Sequence, residues 1–89
     1  MHQKKKNNVE VTQLLINAGA NPNLQNELGR TALMYASQKG NIEVVQMLIK
    51  ANADVNLYDH FNTNAFGFAK ENRHDNIINL LVGATIMKK

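Results

Sequence analysis

Shifted by 33 residues against itself, the sequence pairs Asn8, Glu10, Val11, Gln13, Leu15, Ile16, Ala18, Ala20, Asn23 and Leu24 with Asn41, Glu43, Val44, Gln46, Leu48, Ile49, Ala51, Ala53, Asn56 and Leu57. The same shift pairs Ala32, Ala36, Leu48 and Ala51 with Ala65, Ala69, Leu81 and Ala84. Internal repetition at this period is the signature of a stacked array, in which each unit is one supersecondary element that buries its apolar face only against its neighbours. It matters here because 89 residues make a marginal globular core, whereas a stack grows its core with every added unit.

The most complete unit runs from Gly29 to Asn56. Thr31 can cap a first helix by accepting from a first-turn amide, and Leu33, Ala36 and Ser37 then share a face at helical spacing. Gly40 ends that helix and Asn41 caps the next, in which Ile42, Val45, Leu48 and Ile49 form a face widened by Val44 and Met47. A helix apolar over so much of its circumference is flanked by protein on more than one side. Upstream, Asn8 to Asn17 predicts a helix carrying Val9, Val11, Leu14, Leu15 and Ile16, closed by Gly19. Asn52 stands at the equivalent position, where asparagine is the next-best residue for left-handed backbone. Pro22 is expected in an extended segment, and Asn23 to Leu28 reads as a polar hairpin tip. Met1 aligns with Met34, so the chain is read as starting within a repeat, with Lys4 to Lys6 either ending a shortened helix or forming a solvated tail.

These residues carry a family resemblance. The segment GRTALMYASQKGNIEVVQMLIKANADVN resembles the ankyrin repeat, whose pattern is G-x-T-P-L-H-x-A-A, a glycine, a second helix rich in V-V-x-L-L, and G-A-D-V-N. Gly29, Thr31, Leu33, Ala36, Gly40, Glu43, Val44, Val45, Leu48, Ala53, Asp54, Val55 and Asn56 match it, while Ala32, Met34 and Asn52 depart from it. Met34 replaces a histidine whose hydrogen bonds tie adjacent loops in the family, which implies a softer junction. In the last unit Asn62 replaces the turn glycine, Asn64 the capping threonine, Gly67 the histidine and Arg73 the inter-helix glycine. AFGFAKENRHDNIINLL is similar to a C-terminal capping repeat, with Phe66 and Phe68 expected inside. The resemblance implies an all-α solenoid of helix-turn-helix units joined by β-hairpin-like loops and truncated at its N-terminus. The expected divisions are a partial first repeat over 1–25, a complete one over 26–58 and a capping repeat over 59–89.

Charge and composition narrow the function. The chain carries ten basic and seven acidic side chains, but Lys4, Lys5, Lys6, Lys88 and Lys89 are terminal, leaving five against seven in the body. Nucleic-acid binding calls for a basic stripe on a structured face, so no nucleic-acid partner is expected. Cysteine is absent, which removes disulfides, thiolate metal sites and a cysteine nucleophile. No apolar run reaches the roughly 20 residues that span a bilayer, and MHQKKKNN lacks the apolar stretch of a secretory signal. A cytoplasmic setting is the default, with secretion by a non-classical route left open. Ser37 is the only serine, at a position where the family packs a small residue, and a hydrolytic triad would need a histidine and a carboxylate within its reach. His60 beside Asp59 falls near a hairpin tip, and His74 beside Asp75 starts a helix. Neither pair has metal-ligand spacing, and no glycine-rich phosphate loop is present. The reading is therefore a non-enzyme with no cofactor and no metal.

By resemblance, ankyrin arrays bind other proteins along a concave face built from hairpin tips and first helices. Carried over by position, the partner-binding candidates are Gln25, Glu27, Leu28 and Arg30 on the first finger and Gln38 and Lys39 after the central first helix. On the second finger they are Tyr58, His60, Phe61 and Thr63. Leu28, Tyr58 and Phe61 lead, because an apolar or aromatic residue at a hairpin tip gains little from the fold and much from a partner, and interface hot spots favour aromatics and arginine. Leu28 and Phe61 lie one repeat apart and could instead pack on each other. The alternative function is that of a C-terminal structural piece of a longer array or multidomain protein, with the uncovered Val11, Leu14 and Leu15 face buried by self-association.

Overall fold

The structure, a computed structural model, describes residue 19 and residues 21–87. The expected upstream helix over Asn8 to Asn17, the lysine run and the Val11, Leu14 and Leu15 face lie outside the described residues. Four helices follow one another: α1 (Ala32–Lys39), α2 (Ile42–Lys50), α3 (Ala65–Glu71) and α4 (Asp75–Met87). Their starts repeat at the interval seen in the sequence, Ala32 to Ala65 and Ile42 to Asp75. Each helix packs on the other member of its pair, and across pairs α1 packs on α3 and α2 on α4. First helices thus form one layer and second helices the other. No strand is present among the described residues.

Helices of 7 to 13 residues are too short to persist alone, so capping and tertiary burial must hold them. Thr31 Oγ1 accepts the Met34 amide at 3.2 Å, Asn41 Oδ1 the Val44 amide at 3.4 Å and Asn64 Oδ1 the Gly67 amide at 3.0 Å. Each satisfies one of the donors that a helix start leaves free. At α1's end Gly40 turns left-handed at φ +77° and Asn41 N donates back to Ala36 O at 3.0 Å. The same bond recurs one repeat later, from His74 N to Ala69 O at 2.9 Å, with Arg73 at φ +58° in glycine's place. Asn52 is also left-handed, at φ +67°, as its alignment with Gly19 implies.

The core sits between the layers. Leu33, Ala36, Val44, Val45, Leu48, Ala53, Val55, Ala65, Ala69, Ile77 and Leu81 form one buried cluster. A fully buried Leu, Ile or Val contributes about 1.5–3 kcal/mol relative to its exposed state, and small Ala36, Ala65 and Ala69 keep the first helices close. Three expectations need correcting. Ile42 is 37% exposed, because the face of α2 is centred on Val44, Val45 and Leu48 and Ile42 precedes it on the first turn. Phe66 is only half-buried, while Phe68 is buried. Pro22 occupies a turn, closed by Leu24 N on Asn21 O at 3.4 Å and by Asn23 N on Asn21 Oδ1 at 2.8 Å. Its fixed φ suits the second position of such a turn as well as it suits extended chain. Asp54 repeats the same side-chain turn onto Asn56 N, at 2.9 Å.

Candidate protein-binding surface

Two projecting loops, residues 26–30 and 59–63, precede α1 and α3. They are built by the same bonds. Asn26 Oδ1 accepts from the amides of Leu28 and Arg30, both at 2.9 Å. Asp59 Oδ1 accepts from those of Phe61 and Thr63, at 2.9 and 2.8 Å. Asn26 N donates to Arg30 O at 3.0 Å and Asp59 N to Thr63 O at 2.9 Å. A short acidic or amide side chain can organise its own loop backbone this way, so a β-ladder is not needed to hold a finger.

Adjacent fingers are also tied to each other. His60 N donates to Leu28 O at 2.9 Å, and Gln25 Nε2 donates to Gly29 O at 2.8 Å and to Tyr58 O at 3.2 Å. Below the tips, Asn23 Oδ1 accepts Asp54 N at 2.6 Å. Gly29 is required at this seam on two counts. It is left-handed at φ +79°, and a Cβ there would lie 2.6 Å from the His60 ring and 3.0 Å from the His60 backbone nitrogen. Its counterpart Asn62 is left-handed at φ +68° and carries a side chain.

Arg30 is the electrostatic joint. Its Nε lies 3.2 Å from Asp59 Oδ2, and its guanidinium carbon stands 5.3 to 6.0 Å from the ring centres of Phe68, Phe61 and Tyr35, within the range where a ring face attracts a cation. Bonding to Asp59 raises the Arg30 pKa further. Burial alone raises the Asp59 carboxyl, but the Thr63 amide, Arg30 and the Phe61 amide outweigh it, so the carboxyl ends below the ordinary range. Asp59 therefore stays ionised with its side chain fully buried, one oxygen shaping its own loop and the other holding the preceding repeat. Tyr35 completes the base of the first finger, its hydroxyl accepting from Asn26 Nδ2 at 2.9 Å.

The candidate residues fall into two groups. Leu28, Tyr58 and Phe61 remain open to solvent, at 41%, 54% and 65% exposure, Glu27 and His60 are exposed on the same fingers, and Lys39 is exposed at the C-terminal end of α1. Leu28 and Phe61 thus keep much of their surface free even though their loops are bonded together. Arg30, Gln38 and Thr63, expected on the open surface, are half-buried. Arg30 is engaged by Asp59, and Thr63 supplies backbone bonds to the second finger. Gln38 O accepts the His74 ring at Nε2, 3.1 Å away. Gln25 is exposed, but its amide is occupied by the two fingers. Sequence reasoning missed Leu24, an apolar residue 66% exposed, and also Tyr35. It read His74 only as a helix start. Its ring closes over Gly40, where a Cβ would lie 2.7 Å from it.

Two further side chains of α1 lie out of reach of solvent. Ser37 is completely buried, with no hydrogen-bond partner for its hydroxyl. Met34 is 1% exposed, its sulfur 3.5 Å from Thr31 N, so it belongs to the interior. Among the described residues no three of His, Asp or Glu converge as metal ligands, and no helix is long and apolar enough to cross a membrane.

The family model for ankyrin repeats, described as three copies, matches residues 1–89. The chain belongs to the ankyrin-repeat family. Among curated proteins none matches it significantly. In ankyrin terms the fingers are the inter-repeat loops, α1 and α3 the first helices, and α2 and α4 the second helices. Ankyrin repeats are in general protein-protein interaction modules and typically non-catalytic.

Proposed function

We propose that this ankyrin array is a non-catalytic module that binds a partner protein through its finger tips and the adjoining first-helix face. Leu28, Tyr58 and Phe61 act as apolar anchors, with Gln25, Glu27 and His60 on the same fingers and Lys39 contributing from the end of α1. The observation that carries this reading is the contrast within the fingers. Their bases are fixed by Asn26, Asp59 and Arg30, while Leu28, Tyr58 and Phe61 present apolar surface to water. Rigid aromatic anchors on preorganised loops bind at low entropic cost. Arg30 and Thr63 position the tips, and Gln38 fixes the junction with His74.

Catalysis has no support in the one serine, whose hydroxyl no substrate can reach without unfolding α1. The test is the Tyr58→Ala/Phe61→Ala double variant. It should lose capture of the proteins that the wild-type chain retains, with its thermal midpoint within about 2 °C, as for surface substitutions. Intact capture with a midpoint lowered by about 5 °C or more would make both residues structural.

A further inference from the structure

One side-chain nitrogen serves both fingers. Gln25 Nε2 lies 2.8 Å from Gly29 O and 3.2 Å from Tyr58 O. A primary amide nitrogen carries two N–H groups, so each carbonyl receives one. The two carbonyls belong to successive repeats, and each precedes a residue of the ion pair: Gly29 O lies in the peptide that enters Arg30, and Tyr58 O in the peptide that enters Asp59. Gln25 therefore grips the backbone on both sides of the 3.2 Å contact between Arg30 Nε and Asp59 Oδ2.

The neighbouring ties between the fingers run the other way. Asn23 Oδ1 accepts Asp54 N at 2.6 Å, and Leu28 O accepts His60 N at 2.9 Å. There the first finger supplies the acceptor, whereas at Gln25 it supplies the donor. Bonds before and after Gln25 leave the second finger able to tilt about either one, and a third point between them fixes its angle. With that angle is fixed the spacing of Leu28 from Tyr58 and Phe61, which sit on different fingers.

Gln25 is exposed, as a contact residue would be, but both of its N–H groups are committed to the fingers. A partner that used them would have to release Gly29 O and Tyr58 O together. One repeat on, the matching residue is Tyr58 itself, which has no amide to donate and leaves 54% of its surface open. We propose that Gln25 is a positioning residue of the finger surface and not one of its contacts, its side-chain amide clasping the second finger to the first. This refines the proposed function and rests on it, since a clasp matters to binding only if the tips bind. It also makes a chemical demand: position 25 must donate. A glutamate there keeps the shape and aims a carboxylate oxygen at two carbonyl oxygens, while a lysine restores N–H donors.

Exchange of backbone amides with water, measured by NMR on the full chain, reads the clasp directly. In Gln25→Glu the His60 amide, bonded across to Leu28 O, should exchange roughly three- to tenfold faster, as the loss of about one hydrogen bond implies. The Phe61 and Thr63 amides, bonded to Asp59 within the second finger, should keep their wild-type rates. Gln25→Lys should bring the His60 rate back to within about twofold of wild type. Gln25→Glu should also retain less of the proteins that the wild-type chain captures, and Gln25→Lys should retain them. An unchanged His60 rate in Gln25→Glu overturns the clasp, and so does a rise shared by Phe61 and Thr63, which reports general loosening. A His60 rate raised alike in both variants overturns the donor requirement. Capture lost in both variants with wild-type exchange would make Gln25 a contact after all. If the wild-type chain captures nothing, the finger-tip function fails, and the exchange rates still decide on Gln25.

Discussion

Replacing Ser37 with Ala should stabilise the protein. The Ser37 side chain is wholly buried on α1, and its Oγ has no hydrogen-bond partner. A serine inside a helix usually returns its hydroxyl to the carbonyl four residues earlier, and Ser37 does not. Leaving a buried hydroxyl unpaired costs about 1–3 kcal/mol. Alanine is also the better helix former, by roughly 0.5 kcal/mol. Against these gains stands the void left by one oxygen, roughly 10–15 Å³, which at about 24 cal/mol per Å³ amounts to some 0.3 kcal/mol.

The balance favours alanine by about 1–3 kcal/mol, at about 4–8 °C in thermal midpoint per kcal/mol for a domain of this size. Urea unfolding followed by circular dichroism measures it, with an unchanged m-value showing that both end states keep their compactness. A loss of more than about 0.5 kcal/mol would refute the reasoning, because it requires that Oγ be satisfied in solution and that Ala strand its partner. The same variant bears on function: finger-tip binding should persist in it, whereas an activity that disappeared with Ser37 would return this chain to the enzymes.

Gly40→Ala should destabilise by roughly 2 kcal/mol in urea melts, because φ +77° is unfavourable for any residue with a Cβ and the new atom would displace the His74 ring 2.7 Å away. Arg73→Gly, at the matching turn one repeat on, should do the reverse and stabilise by roughly 0.5–1 kcal/mol, since it relieves φ +58° where nothing is stacked. Asp59→Asn should lower the urea midpoint at pH 7. Because the folded carboxyl titrates below its unfolded value, its contribution is fully present above the unfolded pKa of about 4 and is lost as pH falls through that value toward the folded one. The gap between Asp59→Asn and the wild type should therefore shrink between about pH 5 and pH 3, and a gap independent of pH would mean that Asp59 acts through loop packing alone.

The fold was legible because its determinants are local and repeated. Thr31, Asn41 and Asn64 announce helix starts, Gly40 announces a stop, and the 33-residue shift turns one well-marked unit into a template for a divergent one. Left-handed Asn52, Asn62 and Arg73 follow from alignment with glycine positions, although their own propensities would not suggest them. The surface was less legible, since exposure depends on contacts between units. Arg30 reads as an exposed arginine beside an apolar tip, and only the approach of the second finger reveals Asp59 against it. His74 reads as a helix start until Gly40 of the preceding unit comes under its ring. The deciding partners lie 29 and 34 residues away, beyond any local pattern.

The glycines also report where one unit rests on the next. All three left-handed positions of the repeat demand positive φ, yet Gly29 and Gly40 are glycine while Asn52, Asn62 and Arg73 are not. Backbone conformation alone would treat them alike. The difference is occupancy: His60 and His74 press on Gly29 and Gly40, whereas a Cβ on Gly19, which aligns with Asn52, would meet nothing within 4 Å. A side chain is therefore tolerated at a left-handed turn when no neighbour seats there, at a cost of roughly 1 kcal/mol, and becomes prohibitive when one does. By this criterion the finger and inter-helix turn of the last repeat are free edges.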